Sequence, residues 1–331
     1  MKIKQTIGID ISKLTFDVRI YSNQMYLPFN NQKQGFNKML KWVNKNNPFE
    51  QCETLFIFEH TGLYSHQLGI FLTENNVSFT IVSGLEVKRS LGIVRGKDDK
   101  IDATKLARYA YRLRDEIQTC KFPTKQIQSL KRLLSLRDRL VKHRAGYKAC
   151  YKEQKRIFTK KDNQVLFNVE EQTISFLSKK IIKVEQEINT IIKSDQTLKT
   201  QYDLITSIKG VGSQTALFII VYTCGFIKFK NWRKFASYGG IAPFPNRSGT
   251  SIMGKTKVSH LANKKIKSLL DQCAKSSIQH NQEMKLYYNK KVEQGKNKMS
   301  VINSIRNKII ARVFAVVNRG TPYVDFMKFA A

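Results

Sequence analysis

The first third of the chain alternates between the hydrophobic period of a strand and that of a helix. Apolar residues recur at every second position in TIGIDISKLTFDVRIY, which predicts two strands, and QMYLPF predicts a third. ETLFIFEHTG and VSFTIVSG predict two more strands, whereas GFNKMLKWVNKN, YSHQLGIFLTEN and residues 99–113 have helical spacing. Three strands followed by alternating helices and strands predict an α/β region with a mixed sheet.

Pro123 interrupts this alternation, and the pattern is then helical as far as about Tyr202. Apolar residues follow alternating steps of three and four, with Asp195 as the one polar interruption, at Ile174, Leu177, Ile181, Val184, Ile188, Ile191, Leu198 and Tyr202. That spacing is typical of a coiled-coil seam. An earlier arm is the expected antiparallel partner across the KKDNQ loop, with Ile127, Leu130, Leu134 and Val141.

After Leu204 the pattern predicts a mainly helical globular region with Gly and Ser punctuation between Gly239 and Gly254. The basic segment KKVEQGKNKMSVINSIRNKIIARVF that follows has the spacing of an amphipathic helix. The predicted division of the chain is therefore 1–120, 121–203 and 204–331.

The charge of the chain adds a partner to this picture. Its 331 residues include 58 Lys and Arg against 25 Asp and Glu, with a formal charge of +33. So large a surplus indicates a polyanionic partner, and nucleic acid is favoured over an anionic membrane surface. Residues 121–162 alone hold fourteen Lys and Arg and three acids. A solvated helix face is the alternative, but one-sided charge favours a backbone-binding arm, with candidates Lys131, Arg132, Arg139 and Arg144.

Three further observations indicate a cytoplasmic, nucleoid-associated protein without a membrane segment. The longest apolar stretch, ALFIIVYTCGFI, is too short to span a bilayer. The N-terminus enters a strand pattern directly, without the layout of a signal peptide. The five cysteines form no CxxC pair, which predicts reduced and mostly buried thiols rather than disulfides or zinc ligands.

Four carboxylates fall at positions that suit metal chemistry. Asp10 and Glu59 each close an apolar strand pattern, and Asp99 and Asp102 lie three apart at the start of a predicted helix. If the two strands are neighbours, all four converge, and such a cluster requires cations of the Mg²⁺ or Mn²⁺ type. Taken singly, each acid has a simpler explanation as a turn former or a helix-dipole partner. Asp98 is the better candidate for the helix cap.

Two motifs in the last third carry weaker signals. ITSIKGVGSQTALFII is similar to a helix-hairpin-helix element, in which Gly210 and Gly212 would let backbone N–H groups approach a phosphate. An ordinary tight turn explains it equally well. In FASYGGIAPFPNRSGTS, Ser248 lies in a predicted polar turn, which local pattern favours over a nucleophile because no His-Asp pair stands nearby.

The order of these motifs resembles a known family. GIDISK, FEHTG and KDDKIDATKLA, a basic helical region, IKGVGSQTA and YGGIAPFPNRSG resemble the DEDD transposases of the insertion-sequence 110 family, which include Piv-type DNA invertases and bridge-RNA-guided recombinases. The resemblance implies an RNase H-like, RuvC-type catalytic domain, a coiled-coil insert and a C-terminal transposase domain. It implies Mg²⁺ at Asp10, Glu59, Asp99 and Asp102.

The same resemblance implies that Ser248 attacks a DNA phosphodiester to give a covalent phosphoserine, in a composite site with carboxylates of another domain and another subunit. Donor and target DNA, a structured guide RNA and a homodimer or homotetramer are the implied partners. The chain departs from the family pattern at His60, where a small residue is expected, and at KDD, where the step to Asp102 favours Asp99 over Asp98.

Two choices near the serine and three rival functions remain open. Gly249 favours Ser248 over Ser251, and Arg247 is a better phosphate ligand than Lys255 or Lys257. A metal-dependent junction resolvase or nuclease would use activated water, with Ser248 only shaping a turn. A basic nucleic-acid-binding protein would bind DNA without strand exchange, and a tyrosine recombinase lacks a visible Arg-His-Arg set.

Overall fold

The computed structural model describes residues 2–90, 98–229, 231–249 and 252–325. They form two compact units, 1–122 and 123–331, so the chain divides where Pro123 was predicted to break the pattern. The finer division at 121 and 204 stays a prediction.

The first unit is built on a mixed five-stranded sheet, as predicted. Its strands are β1 (Gln5–Ile11), β2 (Thr15–Ile20), β3 (Tyr26–Asn30), β4 (Thr54–Glu59) and β5 (Phe79–Val82). They lie in the order β3-β2-β1-β4-β5. The pairs β3–β2 and β2–β1 are antiparallel, whereas β4 runs parallel to both β1 and β5. The central strands β1 and β4 are buried almost throughout, as their continuous apolar runs require.

Helices cover both faces of this sheet. They are α1 (Lys33–Asn46), α2 (His66–Glu74), α3 (Gly84–Ser90) and α4 (Asp99–Arg112), with a 3₁₀ turn at Gln51–Glu53. Three of them were predicted, but α3 was not, because seven residues with one buried side chain, Val87, give too short a periodic signal. One face of the sheet packs on side chains of α1 and α2, including Phe36, Met39 and Leu68. The other packs on α4.

Helix α4 lies very close to strand β1 because Gly8 has no side chain. A methyl group at Gly8 would stand 2.1 Å from the carbonyl oxygen of Ala103 and 2.5 Å from the backbone nitrogen of Ala107. The hydroxyl of Thr6 donates to the carbonyl of Ala107 at 2.8 Å. This contact fixes the helix that carries Asp99 and Asp102 against the strand that carries Asp10.

The second unit is mainly helical, as predicted. Its helices are α5 (Lys125–Ile157), α6 (Gln164–Ser194), α7 (Gln196–Thr206), α8 (Ser213–Thr223), α9 (Trp232–Tyr238), α10 (Lys264–His280), α11 (Gln282–Glu293) and α12 (Lys298–Arg319). The apolar stretch too short for a membrane forms α8, which is buried on nearly all sides at the centre of one hydrophobic core. No helix among the described residues is both long and apolar enough to cross a membrane.

Helices α5 and α6 form the predicted antiparallel pair. Arg137 contacts Glu185, Arg144 contacts Ser178 and Tyr151 contacts Glu171, so the sequence numbers fall on one helix as they rise on the other. Coiled-coil geometry stays a prediction.

The prediction of one continuous coiled-coil seam through Asp195 is wrong. Helix α6 ends at Ser194, and the Asp195 side chain accepts from the backbone nitrogen of Leu198 at 3.1 Å, which caps α7. An aspartate in a heptad pattern here marks a new helix rather than a tolerated polar residue.

The second unit differs from the sequence-based prediction in two further places. The sequence predicted a polar turn around Ser248 and no β-hairpin, yet Pro243–Ser248 (β6) pairs with Ile252–Val258 (β7). Its proline-rich first strand contains no regular alternation, which explains why the pattern missed it. The basic segment predicted as one helix is instead the end of α11 and most of α12, separated by a turn at Gly295, whose φ is +76°.

Most of the cysteines are not buried, contrary to the prediction. Cys273 is buried, Cys120 and Cys224 are half-buried, and Cys52 and Cys150 are exposed. Their scattered positions in the sequence argued against disulfide pairing but gave no information on how deeply each side chain is buried.

Candidate active site

Two adjacent parallel strands bring the first two carboxylates to one edge of the sheet. Ile9 of β1 is paired with Phe58 of β4. The next residues, Asp10 and Glu59, therefore lie side by side near the carboxyl ends of these parallel strands. Both side chains are half-buried. The two strands are neighbours, which was the condition set by the sequence for convergence.

Helix α4 supplies the other two carboxylates from its first turn. Asp99 and Asp102 are both in that turn, and the backbone nitrogen of Asp102 donates to the carbonyl of Asp98 at 2.9 Å. Asp98 occupies the N-cap position as predicted, but its side chain makes no capping hydrogen bond. The expectation that the Asp98 carboxylate caps the helix is therefore wrong in this conformation.

The four carboxylates are close enough to repel one another. Burial raises the pKa of Asp10 to about 6, and the negative charges of Asp102, Asp99 and Glu59 add to the effect. Burial also raises the pKa of Glu59, with a further contribution from Asp102. The structure thus gathers Asp10, Glu59, Asp99 and Asp102 into one acidic cluster, although their catalytic and metal-binding roles stay predictions.

Two neighbours shape this cluster and carried no recognised signal in the sequence. The Lys105 ammonium lies 2.7 Å from Oδ1 of Asp102, one turn further along α4. A methyl group at Gly84 would stand 2.6 Å from Oε2 of Glu59, so the absence of a side chain there leaves room for the carboxylate.

A fifth carboxylate lies beside the cluster and was also missed. Asp17 of β2 is the direct cross-strand partner of Asp10 and is buried. The phenol of Tyr26 donates to Asp17, and this bond, more than burial, raises the pKa of Tyr26 to about 12. In the sequence, Asp17 stands between the apolar positions Phe16 and Val18 of the period-two pattern. That position could have indicated an acid on the opposite face of the strand.

The predicted nucleophile lies at the end of a strand rather than in the turn. Ser248 is the last residue of β6 and pairs with Ile252, while Arg247 pairs with Met253. Arg247 lies on the hairpin next to Ser248 in sequence, and Lys257 pairs with Phe244. The described part of the chain does not include the side chains of Ser248 and Lys255. It also does not include Ser251, the alternative nucleophile.

The predicted hairpin between two helices is present, but its two glycines differ. Gly210 has a φ of +90°, and a methyl group there would stand 2.1 Å from Oγ of Ser277, so local packing already requires a glycine. At Gly212, the N-cap residue of α8, a methyl group would meet no atom within 4 Å. Phosphate contact stays a prediction at both positions.

The basic arm also divides into two kinds of residue. Lys131, Arg132 and Arg139 are exposed on α5. Arg144 is half-buried, and its guanidinium donates to the Ser178 hydroxyl of α6 at 3.3 Å. The first three therefore suit contact with a polyanion better than Arg144, which helps to join the two helices.

Comparisons with known proteins agree with the motif order. A transposase family model for DEDD enzymes of the IS110 type matches residues 7–157, and the model described as the IS116/IS110/IS902 transposase family matches residues 202–289. The chain belongs to the IS110 family of transposases. It is therefore a DNA recombinase, and the resemblance stated from the sequence is confirmed.

Two curated relatives extend this similarity over nearly the whole chain. The pilin gene-inverting proteins of Moraxella lacunata and Moraxella bovis are each 26% identical over 328 residues, which covers 97% of this chain and 98% of the relative. An uncharacterised 43.6 kDa protein of insertion element IS110 from Streptomyces coelicolor is 26% identical over 144 residues, 44% of this chain and 34% of the relative.

Membership in a DEDD transposase family implies a divalent metal, and the donor set of this IS110 chain fits one in its chemistry. Burial, and then the charges of Asp102, Asp99 and Glu59, raise the pKa of Asp10, and four carboxylate ligands suit a hard divalent cation. Among the described residues, however, no three His, Cys, Asp or Glu side chains are drawn together closely enough to hold one ion.

Proposed function

We propose that this IS110-family recombinase cleaves and rejoins DNA through a covalent phosphoserine at Ser248. In this proposal Mg²⁺ or Mn²⁺ is held by Asp10, Glu59, Asp99 and Asp102. The observation that carries it is the crowding of those four carboxylates in a chain with a formal charge of +33. Unpaired carboxylates would repel DNA, whereas carboxylates that hold divalent ions attract and polarise a phosphodiester.

Ser248 and Arg247 of the hairpin have separate roles in the proposed nucleophilic step. The Ser248 oxygen attacks the phosphorus and its proton passes to solvent water, while the P–O bond to the leaving strand breaks as the new O–P bond forms. The departing strand oxygen takes up a proton from water. A bound divalent ion supplies Lewis-acid stabilisation to the attacking and leaving oxygens. Arg247 donates charge-assisted hydrogen bonds to a phosphate oxygen. In rejoining, the hydroxyl of another strand attacks the phosphoserine and Ser248 leaves with a proton.

The first unit is proposed to have an RNase H-like, RuvC-type fold. Its support is a mixed sheet in the order β3-β2-β1-β4-β5, with acids at the ends of β1 and β4 and in the first turn of α4. The proposed remainder is a coiled-coil arm at 121–203 and a transposase domain at 204–331.

The exposed basic face of α5 is proposed to bind nucleic acid backbone, including a structured guide RNA that pairs with donor and target DNA. Exposed cations at Lys131, Arg132 and Arg139 support contact with a polyanion but specify no sequence. Sequence choice by base pairing fits a protein surface of this kind. A homodimer or homotetramer is proposed because Ile157 and Val165, near the loop that joins α5 and α6, are 75% and 78% exposed.

A denaturation-resistant protein–DNA adduct tests the serine mechanism directly. Wild-type protein with Mn²⁺ and cognate DNA should give an adduct whose modified peptide contains Ser248, and Ser251→Ala should retain it. Ser248→Ala should form no adduct and cleave no DNA. Cleavage by Ser248→Ala, with no adduct in the wild type, would instead identify a nuclease that uses activated water.

Sequencing of RNA that copurifies with the protein tests the guide. One dominant structured RNA is expected, and it should be depleted when Lys131, Arg132 and Arg139 are replaced together. A random sample of cellular RNA would contradict the guide while leaving the recombinase intact.

A further inference from the structure

The hairpin that carries Ser248 extends from the core of the helical unit. The side chains of β6 from Pro243 to Arg247 are all exposed, whereas Ile241, two residues before the strand, is fully buried in the core. Exposed side chains give β6 little packing against the helices. The direction in which the hairpin points is therefore set at its base, where the chain leaves the core.

Two amide side chains of α12 hold that base. Nδ2 of Asn303 donates to the carbonyl oxygen of Ile241 at 2.9 Å, and Nδ2 of Asn307 donates to the same oxygen at 3.0 Å. The Asn307 amide also donates to the carbonyl of Asn303 at 2.9 Å. The two asparagines are one helical turn apart and share one face of α12. A carbonyl that accepts two hydrogen bonds from one helix is fixed in both position and direction.

The Asn303 side chain is itself held at its oxygen. Oδ1 of Asn303 accepts from Nη1 of the buried Arg306 at 3.4 Å, and Nη2 of Arg306 donates to Asp271 of α10. A cationic donor at Oδ1 orients the amide so that its NH₂ group faces Ile241. A chain of hydrogen bonds thus joins α10, α12 and the base of the hairpin.

The return strand of the hairpin is anchored as well. After β7, the backbone nitrogen of Asn263 donates to the carbonyl of Tyr238 at 2.8 Å, and its Nδ2 donates to the Tyr238 hydroxyl at 3.0 Å. Oδ1 of Asn263 accepts from the backbone nitrogen of Ile266 at 3.1 Å, which caps α10. Both ends of the hairpin are therefore tied to helices of the core.

We propose that Asn303 and Asn307 are positioning residues, which hold the base of the hairpin so that Ser248 meets the scissile phosphodiester in a fixed orientation. The inference rests on the proposed nucleophilic role of Ser248. The two asparagines act through the Ile241 carbonyl and strand β6 rather than by contact with DNA. Because a nucleophile must approach phosphorus at a defined distance and angle, a hairpin that points elsewhere reacts slowly although its hydroxyl is intact.

The test is the rate of Ser248 adduct formation with Mn²⁺ and saturating cognate DNA, measured beside the Kd for the same DNA. Asn303→Ala and Asn307→Ala each keep one donor to Ile241 and should slow the adduct about threefold. The double variant should slow it about 100-fold, the size of an error of about 1 Å in position. This loss exceeds the product of the single losses because either amide alone holds the carbonyl. The Kd should stay within about twofold of the wild type.

Two further variants separate positioning from loss of stability. Ile309→Val removes a methylene from a buried side chain of the same helix, and should lower the melting temperature by about 2–4 °C while the adduct rate stays within about twofold. Asn303→Asp keeps the shape of the side chain and its contact with Arg306 but places an oxygen against the Ile241 carbonyl. It should slow the adduct at least about tenfold, more than Asn303→Ala does.

Hydrogen exchange measures the base of the hairpin without DNA chemistry. The backbone nitrogens of Ile241 and Ala242 donate to the carbonyl of Ala236 at 3.0 and 3.3 Å. In the double variant these two amides should exchange at least about tenfold faster than in the wild type, while the amides of α5 and α6 keep their protection. Unchanged exchange at both positions would show that the asparagines do not hold the base, and would overturn the inference.

The remaining outcomes distinguish this inference from the serine mechanism. Adduct formation at the wild-type rate by the double variant or by Asn303→Asp overturns the inference alone. Equal slowing by Ile309→Val, or a weaker Kd that accounts for the whole loss of rate, also overturns it. If the wild type itself forms no Ser248 adduct, the serine mechanism is wrong and the inference is overturned with it.

Discussion

Three ion-paired acids of the helical unit contrast with the acidic cluster of the α/β unit. In the helical unit, several partly buried acids are paired with cations: Asp271 with Arg306 and Lys275, Glu185 with Arg137, and Glu283 with Arg312. The buried Glu170 is an exception, since it forms no ion pair with a described residue. In the α/β unit, the described residues provide one cation, Lys105, for the cluster of Asp10, Glu59, Asp99 and Asp102.

The difference separates acids that contribute to the fold from acids that, in the proposed function, bind a divalent ion. A paired carboxylate contributes to stability in the absence of any ligand, whereas a crowded one raises the free energy of the folded state until a cation arrives. Local violation of a general rule is typical of functional sites.

The largest expected effect is on catalysis. Glu59→Gln should reduce DNA strand cleavage at least about 100-fold, because a neutral amide is a poorer ligand for a hard divalent ion. Glu283→Gln in the helical unit is the matched control and should keep cleavage near the wild-type rate. Cleavage assays on a cognate DNA substrate with Mn²⁺ measure both. Equal losses in the two variants would remove the distinction between the units.

The next effect is on stability, and it should have opposite signs in the two units. Asp271 accepts from the nearly buried Arg306, and Asp271→Asn should cost about 2–4 kcal/mol because it leaves that guanidinium underpaired. Asp10→Asn should instead stabilise the metal-free protein by about 1–2 kcal/mol at pH 8, because it removes a repelled, half-buried charge. Denaturant unfolding in EDTA measures both changes. A destabilised Asp10→Asn would contradict the account of the cluster.

The pH dependence of that gain follows from the sign of the shift. The folded protein raises the pKa of Asp10 from 3.8 to about 6, so the fold disfavours the ionised form and the wild type loses stability as pH rises through this interval. The advantage of Asp10→Asn should therefore be full above pH 6 and absent below about pH 4. Unfolding curves at a series of pH values in EDTA provide the check, and a gain that is constant with pH would exclude the electrostatic cause.

Glycines provide a smaller contrast between the units. Gly8→Ala should destabilise the α/β unit by about 1–3 kcal/mol and reduce cleavage, because α4 must move away from β1. Gly146→Ala in α5 should stabilise the helical unit by about 0.5–1 kcal/mol, since a methyl group there meets no atom within 4 Å. Thermal melts and cleavage assays test the pair. A harmless Gly8→Ala would show that close packing of α4 does not position the carboxylates.

The smallest effect is on nonspecific DNA binding. Replacing Lys131, Arg132 and Arg139 with Ala should weaken binding to all sequences alike and reduce the slope of log affinity against log salt by about 2–3. The control removes the same charge from three other exposed lysines, Lys285, Lys290 and Lys298. Salt titrations of duplex binding distinguish the two triples, and identical slopes would mean that only net charge matters.

Most of the architecture could be predicted from the sequence because its strands and long helices have strong periodicity. The positions of Asp10 and Glu59 at strand ends were visible, and so was their convergence once β1 and β4 were assumed to be neighbours. The link from Lys105 to Asp102 was not, because an i,i+3 pair on a helix is usually a solvent-exposed pair of little consequence. Asp17 was missed because its burial depends on α4 covering the second face of the sheet.

In the helical unit the errors arise where local chemistry overrides periodicity. Asp195 continued a heptad pattern in sequence but caps a new helix in the structure. Ser248 has the neighbours of a turn residue but ends a strand, since its hairpin is defined by pairing with residues that follow the turn. The hydrophobic pattern of a single segment does not show which other segment it pairs with.

The central claim is that the acidic cluster of the α/β unit is held ready for a divalent cation, and the shift in melting temperature on adding Mn²⁺ tests it most directly. The wild type should melt at a higher temperature as Mn²⁺ rises, because the ion binds only the folded cluster. Asp10→Asn should start above the wild type in EDTA at pH 8 and respond little to Mn²⁺. A wild type that does not respond, or an Asp10→Asn variant that responds as strongly as the wild type, would contradict the claim.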